Sequence, residues 1–187
     1  AAAELGDFQS VLELASGSGA FKNLGLRWHY RSQHESLIAY SNYKFYSGKL
    51  ITFPSAQDES EALGVRFTLV ENGVYERGGG ASNPIEARAV ARRVLDHYES
   101  TPNITLGVVT FSVAQQEAVE AAIQMELEQR RHLDRYFNDN DRLGGFFVRS
   151  LESVQGDERD VILFSVGYGP DEAGKITTSF GPLNNKG

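Results

Sequence analysis

Two apolar runs stand out in the last third of the chain. Phe146-Phe147-Val148 is short and reads as a strand. Val161-Ile162-Leu163-Phe164-Ser165-Val166 is continuous, β-rich and of strand length, which predicts a strand buried on both faces. A third run, Ile104 to Val109, predicts another buried strand, and Val65 to Val70 alternates as a strand with one wet face would. Between these runs the period changes to that of a helix. Asn83-Pro84 opens one, with Asn as N-cap, Pro at the first position and Glu86 in the first turn; Val90, Val94 and Tyr98 carry it to about Glu99. After the turn Thr110-Phe111-Ser112, a long helix runs from Val113 to about His132, with Val119, Ile123 and Leu127 in line. Strand alternating with helix from Val65 to Val166 predicts an α/β fold with a mainly parallel sheet.

The first half is less regular. Residues 4–15 are spaced as a short amphipathic helix, ended by Ser16-Gly17-Ser18-Gly19, so residues 1–23 read as a helix and a flexible Gly/Ser loop ahead of a domain spanning 24–187. Glu35 to Phe45 reads as a helix and Leu50 to Phe53 as a short extended piece stopped by Pro54. Residues 57–61 form an acidic surface loop, 71–82 a Gly-rich loop, and 134–142 a polar irregular stretch.

Composition narrows the classes. With 41% hydrophobic and 23% charged residues in 187, the chain suits one globular domain with a sizeable core. No apolar run reaches membrane-spanning length, so no membrane partner is expected. The absence of cysteine excludes disulfides and thiolate metal sites and fits a cytoplasmic location. A formal charge of -7 argues against a protein that grips nucleic acid unaided. The four histidines form no ligand pair at zinc spacing, and no metal site is expected.

The chemistry concentrates between the two last strands. The loop from Ser150 to Asp160 holds Gln155-Gly156-Asp157-Glu158, and a carboxylate- and glycine-rich loop between core strands is aimed by a rigid sheet. Gly156 would let backbone approach closely, and Glu158 is suited to accept hydrogen bonds from sugar hydroxyls. Read alone, the loop is equally a solvated turn. Asp157, Glu158 and Asp160 also raise a metal-dependent nuclease, but that chemistry wants a lysine at set spacing, and none is there. Gly169 to Ile176 approaches a phosphate loop, yet Ile176 replaces the magnesium-binding hydroxyl and Asp171 and Glu172 would repel phosphate; a hairpin-like excursion is expected instead. Leu26 to Ser32, LRWHYRS, is dense in aromatics and arginine; by composition it is an edge strand packing Trp28 and Tyr30 into the core.

Ser150-Leu-Glu-Ser153-Val-Gln-Gly156-Asp-Glu158-Arg-Asp followed by a strand ending in Ser165 resembles motif V of superfamily 1 helicases, most closely the up-frameshift type. Leu26, His29-Tyr30-Arg31 and Asn42-Tyr43-Lys44-Phe45-Tyr46-Ser47-Gly48-Lys49-Leu50 resemble that group's L-x-x-Q-Y-R and N-x-x-F-Y-x-G-x-L, with His29 in place of Gln. The strand before Thr110-Phe111 and the following Gln115 and Gln116 resemble its GVITPY-x-x-Q segment, with Phe111 in place of Pro; by composition both glutamines read as helix surface.

The resemblance implies a RecA-like fold with helices on both faces of the sheet, forming the second motor domain of an ATP-dependent helicase or translocase. Tyr30 would stack on the nucleobase and Arg31 would reach the γ-phosphate as the catalytic arginine. Gly156 and Glu158 would complete the nucleotide site. Thr110, Ser150 and Ser153 would meet single-stranded DNA or RNA. ATP and Mg would be held mainly by a first RecA-like domain of the same chain, since no Walker A or Walker B segment is present; the sequence reads as ending before the arginine-bearing motif VI. The fragment alone is expected to be inactive. The alternative is a non-catalytic α/β interaction or nucleic-acid-binding module.

Overall fold

A computed structural model describes residues 10–25, 27–53, 63–138, 144–176 and 180. The acidic loop at 57–61, the first part of the 4–15 helix, and the Gly181-Pro-Leu-Asn segment lie outside the described residues. The chain divides into two units, Ala1–Thr68 and Leu69–Gly187.

The first unit holds α1 (Val11–Gly17), β1 (Trp28–His29), α2 (Ser36–Phe45) and β2 (Ile51–Thr52). Ser10 caps α1 by accepting the Glu13 N–H. β1 and β2 pair in parallel, Trp28 beside Ile51 and His29 beside Thr52. The connection that returns the chain from α2 to β2 is fixed by one side chain. The Asn42 amide accepts the Leu50 N–H and donates to the Leu50 carbonyl, both at 3.0 Å. Ser47 and Gly48 make the reversal between them with φ of 54° and 70°. Leu50 is the buried apolar residue of this unit among the described residues. Trp28 stacks on Phe53 but stays 58% exposed, so the expectation that it packs into a core fails.

The second unit holds α3 (Pro84–Ser100), β3 (Leu106–Thr110), α4 (Val113–Leu127), a 3-10 turn (Arg131–Tyr136), β4 (Phe147–Ser150) and β5 (Val161–Ser165). The caps are those the sequence predicts: Asn83 accepts the Glu86 N–H ahead of Pro84, and Ser112 accepts the Gln115 N–H. The sheet is parallel in the order β4-β3-β5, and the architecture is α/β and RecA-like, as expected. β3 lies in the middle, and all five of its residues are buried. Leu106 and Val108 join Ala91, Val94 and Leu95 of α3 and Val119 and Ile123 of α4 in one core. Tyr98 extends it, stacking on Tyr136 with centroids 4.7 Å apart and meeting Phe137 and Phe146 edge-on.

One close approach sets the register of β3 and β4. A Cβ on Gly107 would stand 2.4 Å from the Phe147 ring, so that ring lies where a side chain of β3 would be. The guanidinium groups of Arg149 and Arg159 stand 5.2 and 4.8 Å from the same ring.

Three expectations need correction. β5 is not buried on both faces: it flanks β3 on one side only among the described residues, and Phe164 is 61% exposed. An apolar run of strand length fits an edge as well as a centre, because sheet order is decided by pairing. Residues 65–70 are irregular, with Val65, Phe67 and Leu69 exposed; alternation makes a strand only where a neighbour completes the ladder. The long helix stops at Leu127, and the 3-10 turn takes up Arg131–Tyr136, part of the stretch expected to be irregular.

Candidate functional site

In the first unit, the turn after β1 presents Tyr30 and Arg31. The His29 ring closes it: Nε2 lies 2.7 Å from the Ser32 hydroxyl and accepts the Ser32 backbone N–H at 3.2 Å. His29 is therefore a brace across the two residues between it and Ser32. Tyr30 is 85% exposed, its ring face open for stacking. Arg31 is exposed beside it.

In the second unit, register aligns the strand ends. Thr110 stands beside Ser150 on one side and Ser165 on the other, a row of three buried hydroxyls across the carboxyl edge of the sheet. Ligand sites of open parallel sheets gather at this edge. The Thr110 carbonyl accepts the Leu151 N–H at 2.9 Å, which turns the β4–β5 loop over the sheet end. Ser153 then folds back, its hydroxyl donating to the Ser150 carbonyl at 3.1 Å and lying 3.2 Å from the Ser150 hydroxyl. Thr110, Ser150 and Ser153 are thus brought together. Only Ser153 of the three is exposed. Thr110 is fully buried, and its hydroxyl donates to the Ser112 carbonyl at 2.9 Å.

The rest of the loop leaves that edge. β4 and β5 are parallel, so the chain between them must return to the amino end of the sheet. Arg149 pairs with Asp157 on the way. Arg159 donates to the Gly145 carbonyl at 2.9 and 2.6 Å through Nε and Nη2, and to the Glu158 carbonyl at 2.6 Å. Gly156 has φ of 88° and open space where a Cβ would be. Glu158 is exposed. Glu158, beside Arg159, therefore lies on the limb that returns toward the amino end, and Gly156 lies in the turn before it, where the Asp157 N–H donates to the Val154 carbonyl at 3.1 Å. Asp157 and Asp160 have separate partners, Arg149 and Thr105.

Gly169 to Ile176 is closed upon itself. The Asp171 carboxylate accepts the Ala173 and Lys175 N–H groups at 3.1 and 2.8 Å, while the Asp171 N–H donates to the Lys175 carbonyl at 3.1 Å. Backbone donors that would cradle a phosphate are turned onto this side chain, in keeping with the hairpin-like excursion.

The sequence reading missed Gln115. It is fully buried, not surface: its Oε1 accepts the Asn83 N–H at 2.7 Å, and its Nε2 donates to the Ser165 hydroxyl at 3.0 Å and the Asn83 carbonyl at 3.4 Å. Gln116, expected on the surface with it, bonds its helical neighbour Glu120 at 2.9 Å. Glu86 extends the cluster, accepting from the Ser165 hydroxyl at 2.7 Å and from the Gly167 N–H at 3.0 and 3.2 Å.

No helix among the described residues is long and apolar enough to cross a membrane. Residues 8–175 match the AAA domain family. Two curated relatives are similar over 168 residues, 87% of this chain. "Uncharacterized ATP-dependent helicase MG140" of Mycoplasma genitalium is 32% identical, and its homolog in Mycoplasma pneumoniae is 33% identical. The chain spans 14% of the length of each. The α/β fold, the motif-bearing loop and these relatives agree: the chain belongs to the AAA domain family and is a helicase-type domain.

Proposed function

We propose that this chain is the second motor domain of a superfamily 1 helicase of the up-frameshift type, coupling ATP hydrolysis to movement on single-stranded DNA or RNA in the cytoplasm. The observation that carries this reading is the split layout of the β4–β5 loop. Its first limb gathers Ser150 and Ser153 with the Thr110 turn, hydroxyls and backbone groups suited to a sugar-phosphate strand. Its turn and second limb carry Gly156, with an open side, and Glu158, an exposed carboxylate. A motor needs two such places, one for the track and one for the fuel, joined by a short stretch of chain.

The residues fit a nucleotide by their chemistry. An exposed Tyr30 ring suits a base, and the Arg31 guanidinium suits the charge of a γ-phosphate. Glu158 suits ribose hydroxyls. When bound, ATP with Mg supplies the phosphoryl group and the free energy of its transfer. Arg31 neutralises charge in that transfer, Tyr30 orients the base, and the Mg ligands and phosphate cradle come from a first RecA-like domain of the same protein. The chain alone then hydrolyses no ATP.

The test is ATP turnover by the intact protein with and without single-stranded DNA and RNA, beside displacement of a tailed duplex. Stimulation by either strand supports the motor. An intact protein that binds a strand and turns over no ATP overturns the motor reading in favour of a non-catalytic nucleic-acid-binding module.

A further inference from the structure

Three segments far apart in sequence meet in one polar cluster at the carboxyl edge of the sheet. Asn83 caps α3, Glu86 lies in its first turn, Gln115 lies in the first turn of α4, and Ser165 ends β5. Ser165 and Gln115 are fully buried, and Asn83 is nearly so. The Ser165 hydroxyl is the hub: it receives a hydrogen bond from the Gln115 amide and gives its own to the Glu86 carboxylate. Glu86 also holds the Gly167 N–H, the first turn of chain beyond β5. Gly167 has φ of 73°, and a Cβ there would stand 3.0 Å from the Gln115 Oε1, so a side chain at this position would be strained and would press on the glutamine. On the other side, the Phe111 N–H donates to the Ser165 carbonyl at 3.1 Å. The turn after β3 and the exit from β5 are thereby locked to the same residue.

A largely buried network of this kind is costly unless every member is satisfied, so its persistence argues for geometry held fixed rather than for simple packing. We infer that Gln115, Ser165 and Glu86 are positioning residues that hold the Phe111–Ser112 turn and the Gly167–Gly169 exit as one rigid lip, against which the nucleic-acid backbone lies. This rests on the motor reading above and names three residues, distant from one another in sequence, that set its track-binding surface without touching the strand.

The test uses Ser165→Ala in the intact protein, with Glu86→Gln as a second variant that acts from α3 should the first fail to fold. Two readouts are taken. Amide hydrogen exchange should quicken at Gly167 and Phe111 by roughly tenfold or more, with the α3 and α4 interior unchanged. The strand concentration giving half-maximal ATPase stimulation should rise about tenfold, while the nucleotide KM moves less than about twofold. A cluster that only packs the core would instead quicken exchange across α3 and α4 together and depress all kinetic constants alike, which overturns the inference. Unchanged half-stimulation in a folded variant also overturns it and leaves the motor intact. A wild-type protein that no strand stimulates removes the motor reading, and the strand-positioning role with it.

Discussion

Asp160, at the foot of β5, reaches across to Thr105 at the foot of β3. Its Oδ2 accepts the Thr105 N–H at 2.9 Å and the Thr105 hydroxyl at 2.7 Å, and the Asp160 N–H donates to the same hydroxyl oxygen at 2.9 Å. The two strands are thus clamped at the end of the sheet opposite the row of buried hydroxyls.

The first prediction follows from that clamp. The Thr105 hydroxyl, and then its N–H, hold the Asp160 carboxyl below its ordinary value. A depressed folded value means the contribution is present above the unfolded pKa, near 4. It is lost as pH falls through the folded value. Asp160→Asn should cost about 0.5–1 kcal/mol at neutral pH, at the low end because the site is exposed. The gap from wild type should narrow below about pH 4. Denaturant unfolding across that range checks it, and ATPase per folded molecule should be unaffected.

Tyr98 gives a prediction at the other end of the scale. Burial pushes its phenol up to about 12. A folded pKa above the unfolded one means the stability is complete below about pH 10 and is lost as pH rises toward the folded value. Tyr98 should titrate late in ultraviolet absorbance, and Tyr98→Phe should remove its share of the late step, to which Tyr168, its phenol also raised by burial, contributes as well. A titration with no late phenol in the folded protein would contradict it.

Arg31 carries the third. Charge neutralisation on the transferred phosphoryl predicts that Arg31→Ala lowers turnover of the intact protein by on the order of a thousandfold. Nucleic-acid affinity without nucleotide should stay close to wild type. Arg31→Lys should not restore turnover, since an ammonium lacks the planar fork. If Arg31 only braces its turn, melting temperature falls and every activity declines together.

Glu158 should separate from Arg31 in kind. Glu158→Ala is expected to weaken nucleotide binding by about 1–3 kcal/mol, the range for a lost charged hydrogen bond, with kcat close to wild type. Nucleotide affinity and turnover measured on the same preparation decide it.

How much of this was legible in the sequence depends on the range of the interaction that sets each feature. Helix starts are local, and Asn83-Pro84 and Ser112 mark them where the caps form. The three strands of the main sheet are continuous apolar runs and were readable as such. Which of them lies in the centre is a matter of pairing, and Phe164 reads as core until β5 is seen to flank β3. Gln115 was read as surface because its nature is polar and its partners are 32 and 50 positions away. The position of Glu158 away from the carboxyl edge follows from two parallel strands joined without a helix, which the motif does not reveal.

The approach of Phe147 to Gly107 has a consequence for anyone recombining this domain with its relatives. The ring and the empty position are one shape divided between two strands forty residues apart in sequence. A crossover placed within α4 would draw the two halves from different parents. Such a chimera avoids the clash only where the parent supplying β3 has a small residue at 107 or the parent supplying β4 has one at 147. Breakpoints before β3 or after β4 inherit the pair whole, so these are the seams along which the domain can be exchanged.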